Sequence, residues 1–480
     1  MRGGWVSLLG VTLLCAAGAA WAAGDGPTTA QQAETWGEQL GGLVAQAAGV
    51  SFKEGKVPTV RLATAKEAGA RLEAEFAAYL PAALQEELPE PEALGGQFLA
   101  RYLFSHRGIV LVPENLAALP GASGLDPLQR AGILKLVLTQ ALTLALLDQQ
   151  APLAAAYYAP GGSDAALAHR AIWEGVQRLV QDAVAKELGL DERVRALARW
   201  NGFAIQTPVA GMGEDFWRAQ RIRMASADRL GEAGARFVAA VREAKGAEGL
   251  LEALRKPPRY TSQILVPRDY ISGSAAVPKD ELLQATLADA VADYFQPPEW
   301  VNESHSVGAL SLERADAWAR WQDGGGPRAE LTRSFDYDYL CGQSLIGNRN
   351  SKDVPAQRAA SLHVFRSPEA AARFLRFRQT AVREDWNRLA EQRFTVERQS
   401  VVGGKDLIFP KPQAGWPDQG LAMLLSFNSG PRSKTAQSNQ YFFLKGMWVL
   451  DLDLDVEPDA EALGRVVQAF VNGYTKHAGE

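Results

Sequence analysis

The chain has 480 residues, enough for two or three domains with cores of their own. An apolar fraction of 47% and a charged fraction of 22% are those of a folded globule and exclude a disordered or fibrous chain. A net charge of -5 over this length gives no field for holding nucleic acid or an acidic membrane surface, so neither is expected as a partner.

The first stretch, MRGGWVSLLGVTLLCAAGAAWAAGDG, carries a cation at Arg2, an apolar run and a small-x-small pattern at Ala20-Trp21-Ala22. It predicts an export signal over residues 1–22, and a mature protein in the periplasm or outside the cell with no membrane span left. Leu14 is too large for lipid attachment at Cys15 to be the expected fate. Once the signal is removed, Cys341 alone remains of two cysteines, so no intrachain disulfide can form and a packed thiol is expected.

Residues 23–50 are polar and alanine-rich, with one amphipathic helix expected. A short strand is expected at 58–62, a helix from Thr64 to Gln85, and a strand over Gly108–Val112 stopped by Pro113. From Pro127 to Lys256 leucine, valine and alanine recur at helical spacing. Residues 257–275, rich in proline, read as extended; 281–294 read as a helix, and SVGALSL as a strand. Gly324-Gly325-Gly326-Pro327 is the clearest breaker and places a domain boundary near 330. Beyond it strands are expected at Ala360–Phe365, RFTVERQSVV, KDLIF, LAMLLSF and YFFLKGMWVLDLDLDV. Between them Ser367-Pro368 opens one helix, with serine as cap and proline at the first position, and a last helix runs over 460–477. The expected fold is α+β: a mainly helical domain over 51–330, followed by a smaller mixed α+β domain over 331–480.

The helix LKLVLTQALTLALLDQQ, Leu134–Gln150, is apolar almost throughout. Its flanks match a zinc-peptidase helix of the form His-Glu-Leu-Thr-His-Ala-Leu-Gln-Asp-Gln. In such a helix, histidines four apart share a face and hold the metal, while the glutamate between them accepts a proton from bound water. Here those three positions hold Gln140, Ala141 and Leu144, while Leu142, Thr143, Ala145, Leu146, Asp148 and Gln149 keep the flanking pattern.

Two later stretches add to this. DAALAHRAIWEGVQRLVQ carries Glu174-Gly175 on an Ala-Leu-x-Glu-Gly pattern, and KPPRYTSQILVPRDY matches a Pro-Pro-x-Ser-Thr-x-x-x-x-His-Pro-x-x-Tyr pattern with Val266 in place of the histidine. Over residues 50–345 the chain resembles a family of bacterial zinc metallopeptidases of the gluzincin type. The resemblance implies that Gln140, Ala141, Leu144 and Glu174 stand where that family has its two histidines, its general base and its third metal ligand. With those functions replaced, the expectation is a catalytically inactive homologue, without metal or cofactor, that binds a peptide, protein or small ligand. Glu174 is then expected to pair with Arg170 or Arg178. Two rivals stand beside it: an active metal-dependent peptidase with rearranged ligands, and an unrelated exported binding or structural protein.

Other stretches read more plainly. His106, His169, His305, His363 and His477 are too far apart in sequence for a local metal pair. Asp451, Asp453 and Asp455 alternate with leucines, which predicts one solvated strand face. Arg373, Arg376, Arg378, Arg383 and Arg388, with Phe377 and Trp386, read as a solvated helix face balanced by acidic neighbours. No Gly-x-Ser-x-Gly elbow and no phosphate-binding glycine loop are present.

Overall fold

Three helix starts use one device. Thr29, Thr64 and Asp126 each accept from the N–H of the residue three further on, and the side chains of Gln32, Glu67 and Gln129 return the bond. In the computed structural model these caps open α1 (Ala30–Ala48), α2 (Ala65–Tyr79) and a longer helix at Pro127. The structure describes residues 29–80, 85, 88, 90–119, 121–158, 163–199, 201, 213–273, 277–295, 300–311, 337–349, 357–391, 395–403, 417–428, 436–455 and 459–478. The expected export signal, the Gly324–Pro327 breaker and the KDLIF strand lie outside them.

Contacts divide the chain into two units, one ending at Pro257 and the other holding Pro258–Glu480 together with Pro160–Ala168. In the first, the short α3 (Pro91–Gly95) precedes β2 (Ala100–Leu103) and β3 (Gly108–Leu111). With β1 (Val60–Leu62) they form a three-stranded sheet in the order β1-β3-β2, with β1 parallel to β3 and β2 antiparallel at the edge. Then come α4 (Pro127–Gln150), α5 (Ala154–Tyr157), α6 (Asp164–Glu187), α7 (Glu192–Ala198) and α8 (Gly213–Arg255).

The helix α4 is long and apolar enough to cross a membrane, yet 89% of its most apolar window is buried within the protein. Every residue from Ala131 to Leu147 is buried except Gln140. Thr139 and Thr143 are accommodated there because each hydroxyl donates 2.8 Å to the carbonyl four residues back. A helix apolar on all sides must be surrounded, and this one is.

The second unit begins with two short helices, α9 (Thr261–Leu265) and α10 (Pro267–Ser272), where the sequence reads as extended. The proline that suggested an extended run sits at the first position of α10, where its missing N–H has no partner to lose. After α11 (Asp280–Val291), a seven-stranded sheet runs in the order β4-β5-β6-β10-β9-β8-β7, every pair antiparallel. Its strands are β4 (Trp300–Val307), β5 (Tyr339–Arg349), β6 (Gln357–Phe365), β7 (Thr395–Gly403), β8 (Gln419–Asn428), β9 (Ala436–Lys445) and β10 (Trp448–Leu454). Two helices, α12 (Pro368–Glu391) and α13 (Ala460–Ala478), complete the unit.

This corrects the expected division at 330. β4 pairs with β5 along its full length, so residues 300–307 belong to the C-terminal sheet. A glycine run joining two strands of one sheet looks the same in sequence as a linker between domains. The strand expected at SVGALSL likewise lies earlier, ending at Val307.

The sheet is covered on both faces. Leu362, Val364, Trp448 and Leu450 pack with Leu283 and Leu287 of α11 and Val466 and Phe470 of α13, and the buried, free Cys341 lies in this core. On the other face Phe374 of α12 lies 4.9 Å from the His363 ring and 5.0 Å from Phe365. The aspartates of β10 therefore do not form a solvated face. Asp451 is buried and accepts from Arg378 Nε at 2.8 Å, and Asp455 pairs with Arg358. Burial pushes the Asp451 carboxyl up, and the arginine opposes it.

Candidate functional site

The geometry of the site begins with two glutamines on α6. Gln177 Nε2 donates to the Gln140 carbonyl at 3.2 Å, and Gln181 Nε2 to the Leu136 carbonyl at 3.2 Å. Four residues forward on α6 match four residues back on α4, so the helices run antiparallel. Extending that register by about one turn of roughly 3.6 residues sets Glu174 beside the Gln140–Leu144 stretch. On its other side α6 meets α8 backbone to backbone: a Cβ at Gly175 would stand 2.2 Å from the Gly234 carbonyl carbon, and one at Gly234 1.8 Å from Ala171 O. The glycine after Glu174 is thus required by the packing of the helix that carries it.

A cavity of about 370 Å³ opens along this pair, and Gln140, Ala141, Leu144 and Glu174 all line it. The structure brings together the four positions that the resemblance singled out on two helices. Val266, marked by the third stretch, lies elsewhere, at the junction of α9 and α10 in the second unit. The rest of the wall comes from β2, α5, α7 and α8, and among the described lining residues there is no histidine, cysteine, serine or threonine.

Each of the four has a definite partner or neighbour. Arg170 Nε donates to Glu174 Oε1 at 2.8 Å, one turn apart on α6, one of the two pairings expected for this glutamate. The carboxylate in turn raises the Arg170 guanidinium above its ordinary value. Gln140 Oε1 accepts from Asn201 Nδ2 at 3.1 Å. That asparagine caps the edge of β2: its Oδ1 accepts from Leu99 N at 2.8 Å and Ala100 N at 3.1 Å, and its Nδ2 donates to Ala100 O at 3.0 Å. Ala141 and Leu144 present only methyl and isobutyl groups to the cavity.

This donor set does not fit zinc. An amide engaged with Asn201, two hydrocarbon side chains and an ion-paired carboxylate cannot replace two neutral imidazoles and a free glutamate. Nor do any three of His, Cys, Asp and Glu gather elsewhere among the described residues. No proton acceptor stands at position 141. What the arrangement can do is hold a ligand by hydrogen bonds and ion pairs in a cleft of moderate size.

The retained flanks have structural work of their own. Asp148 accepts from Tyr102 Oη at 2.9 Å and from Leu153 N at 2.8 Å. Gln149 accepts from Lys53 N at 2.9 Å and donates to Lys56 O at 3.1 Å. Both tie the end of α4 to neighbouring segments. Arg101 and Asn201, which also line the cavity, carry no local sequence signal.

The basic stretch of α12 is largely internal to its own unit. Arg373 pairs with Asp338 and Arg378 with Asp451, while the side chains at 383–390 lie outside the described residues. Of the histidines, His363 is buried and shares a 2.9 Å bond with Tyr339 Oη, and burial lowers it to about 3.

No family model matches the chain, and neither a curated protein nor a solved structure matches it.

Proposed function

We propose that the protein is an exported, metal-free pseudo-peptidase that uses the former catalytic cleft to bind a ligand. The observation that supports this reading is the convergence of Gln140, Ala141, Leu144 and Glu174, from two helices distant in sequence, on one cavity. A core helix that resembled a peptidase helix by chance would have no reason to place Gln140, the one unburied residue between Ala131 and Leu147, at a cavity shared with Glu174.

The chemistry of the side chains carries the second half of the proposal. Where the resembled family has a metal ligand, Gln140 anchors Asn201 against the sheet edge; where it has a base, Ala141 offers no lone pair. Binding is then the activity left to the cleft. The reading is tested by equilibrating the purified protein with zinc, removing free metal and measuring bound zinc with peptide turnover. No retained zinc and no chelator-sensitive turnover are expected. Near-stoichiometric zinc, or hydrolysis abolished by a chelator, favours the active peptidase with rearranged ligands instead.

A further inference from the structure

Among the described residues, the cavity contains one cation with no carboxylate in direct contact. Among the arginines lining it, Arg170 pairs with Glu174, Arg178 with Asp228 and Glu232, and Arg195 and Arg199 with Glu192. Arg101 of β2 has no carboxylate partner among the described residues. Its Nε is buried without an acceptor, and its nearest hydrogen bond is a long one, 3.5 Å to Tyr158 Oη. The guanidinium otherwise faces aromatic rings, 5.9 Å from the Phe76 centroid and 5.7 Å from Tyr157. Glu75, whose field reaches Arg101, commits its oxygens to Phe104 N, Ser105 N and Tyr158 Oη. A desolvated cation with unused donors is costly to leave unpaired, and a planar fork of donors matches a carboxylate.

Next to it one residue of the sheet edge has backbone groups without a partner among the described residues. Val112 N donates to Leu99 O, so the Leu99 carbonyl and the amide groups of residues 101 and 103 turn to β3, while those of residues 100, 102 and 104 turn outward; the Leu99 N–H goes to Asn201. Ala100 is capped by Asn201 and Phe104 N by Glu75, which leaves the outward N–H and C=O of Tyr102, a buried residue that lines the cavity, as the pair without a partner among the described residues. An extended chain can form one pair of ladder bonds there and no more.

We propose that the cavity takes the carboxyl terminus of a peptide, with Arg101 binding the terminal carboxylate and the Tyr102 edge groups pairing with the adjoining amide. Tyr157 and Trp173, with ring centroids 5.9 Å apart, give the terminal side chain an aromatic wall and so favour an apolar or aromatic last residue. The proposal rests on the binding reading of the cleft and names its ligand class.

The test titrates the full chain by calorimetry with two probes, N-acetyl-Ala-Ala-Phe as the free acid and as the carboxamide. A charge-assisted pair predicts that the free acid binds at least about tenfold more tightly. In Arg101→Gln the two probes should bind alike. Because the acid–amide contrast is read on the unmodified protein, a variant that fails to fold does not remove the test. Equal binding of the two probes, tighter binding of the carboxamide, or no binding of either overturns the proposal. Zinc content and probe integrity, measured on the same samples, separate the two claims. Bound zinc or a cleaved probe contradicts the metal-free reading whatever the acid–amide contrast, whereas a missing contrast with no zinc and intact probe contradicts this inference alone.

Discussion

The Gln177 side chain donates to the backbone carbonyl of Gln140, a bond of 3.2 Å that fixes the register of α6 against α4. With the matching Gln181–Leu136 bond it carries Glu174 to the cavity shared with Gln140 and Leu144. Each glutamine bonds a carbonyl that already serves its own helix, so its removal strands no buried donor. Gln177→Ala and Gln181→Ala should each lower stability by about 1 kcal/mol, and urea unfolding midpoints are the measurement. A loss of several kcal/mol from either would show that the helix register depends on more than these bonds.

Gly175 predicts a larger effect. A methyl there meets the backbone of Gly234 on α8, which no rotamer change can relieve, because the contact is main chain to main chain. Gly175→Ala should cost about 3 kcal/mol or fail to fold, against the roughly 1 kcal/mol gain of the same change at an exposed mid-helix site. Thermal unfolding of the purified variant decides it, and an unchanged midpoint would rule out the close approach of α6 and α8.

Asn201 is a keystone of the β2 edge, whereas Gln140 contributes a single bond to it. Asn201→Ala removes partners from the Leu99 N–H and from the Ala100 N–H and C=O at the start of β2 and is expected to cost about 2 kcal/mol. Gln140→Ala is expected to cost about 1 kcal/mol or less, because it removes one acceptor of Asn201 in a cavity that water can enter. Chemical denaturation of both variants checks the order, and a Gln140 variant less stable than the Asn201 variant would contradict this account of the edge.

Two buried groups predict opposing pH dependence. Burial raises Asp164 to about 6, although Thr261 N at 2.6 Å and Thr261 Oγ1 at 2.9 Å both donate to it. Between its ordinary value and 6 the folded state holds the extra proton, so this contribution to stability is greatest in acid and is lost as pH rises through 6. Burial lowers His363 to about 3, so over the window from its ordinary value down to 3 the unfolded state holds the extra proton. That contribution is lost as pH falls. The two partly cancel in the wild type near pH 5. Asp164→Asn should make stability fall more steeply on acidification, and His363→Gln should make it fall less steeply. Unfolding free energies from pH 4 to 7 read both slopes, and a variant whose slope moves the other way refutes the assignment for that group.

Much of this architecture can be read from local pattern. Capping residues, apolar spacing and the all-round hydrophobicity of Leu134–Leu147 locate α4 and imply its burial, and Ser367-Pro368 marks the start of α12, with Ser367 Oγ accepting from Ala370 N at 3.2 Å. The aspartates of β10 mislead because alternation reports which residues share a face, not whether another layer covers it; α12 covers this one, and Arg378 meets Asp451 there. The run from 257 misleads because proline punctuates an extended segment and the first turn of a helix alike. Within the site, Gln140, Ala141, Leu144 and Glu174 stand out only against the motif pattern of the zinc peptidases that the sequence resembles. Arg101 and Asn201 are not visible at all, since their roles come from a strand edge and a cavity assembled from segments about 100 residues apart.

The central claim is that a metal-site scaffold persists here without its ligands, and restoring the ligands tests it most directly. The triple variant Gln140→His, Ala141→Glu, Leu144→His places two imidazoles and a base on α4 beside Glu174, within the cavity the four positions already share. Zinc binding is then measured by calorimetry on the wild type and the folded variant. The account predicts one tightly held zinc per variant chain and none on the wild type. A wild type that holds zinc one to one, or a folded variant that holds none, would contradict it.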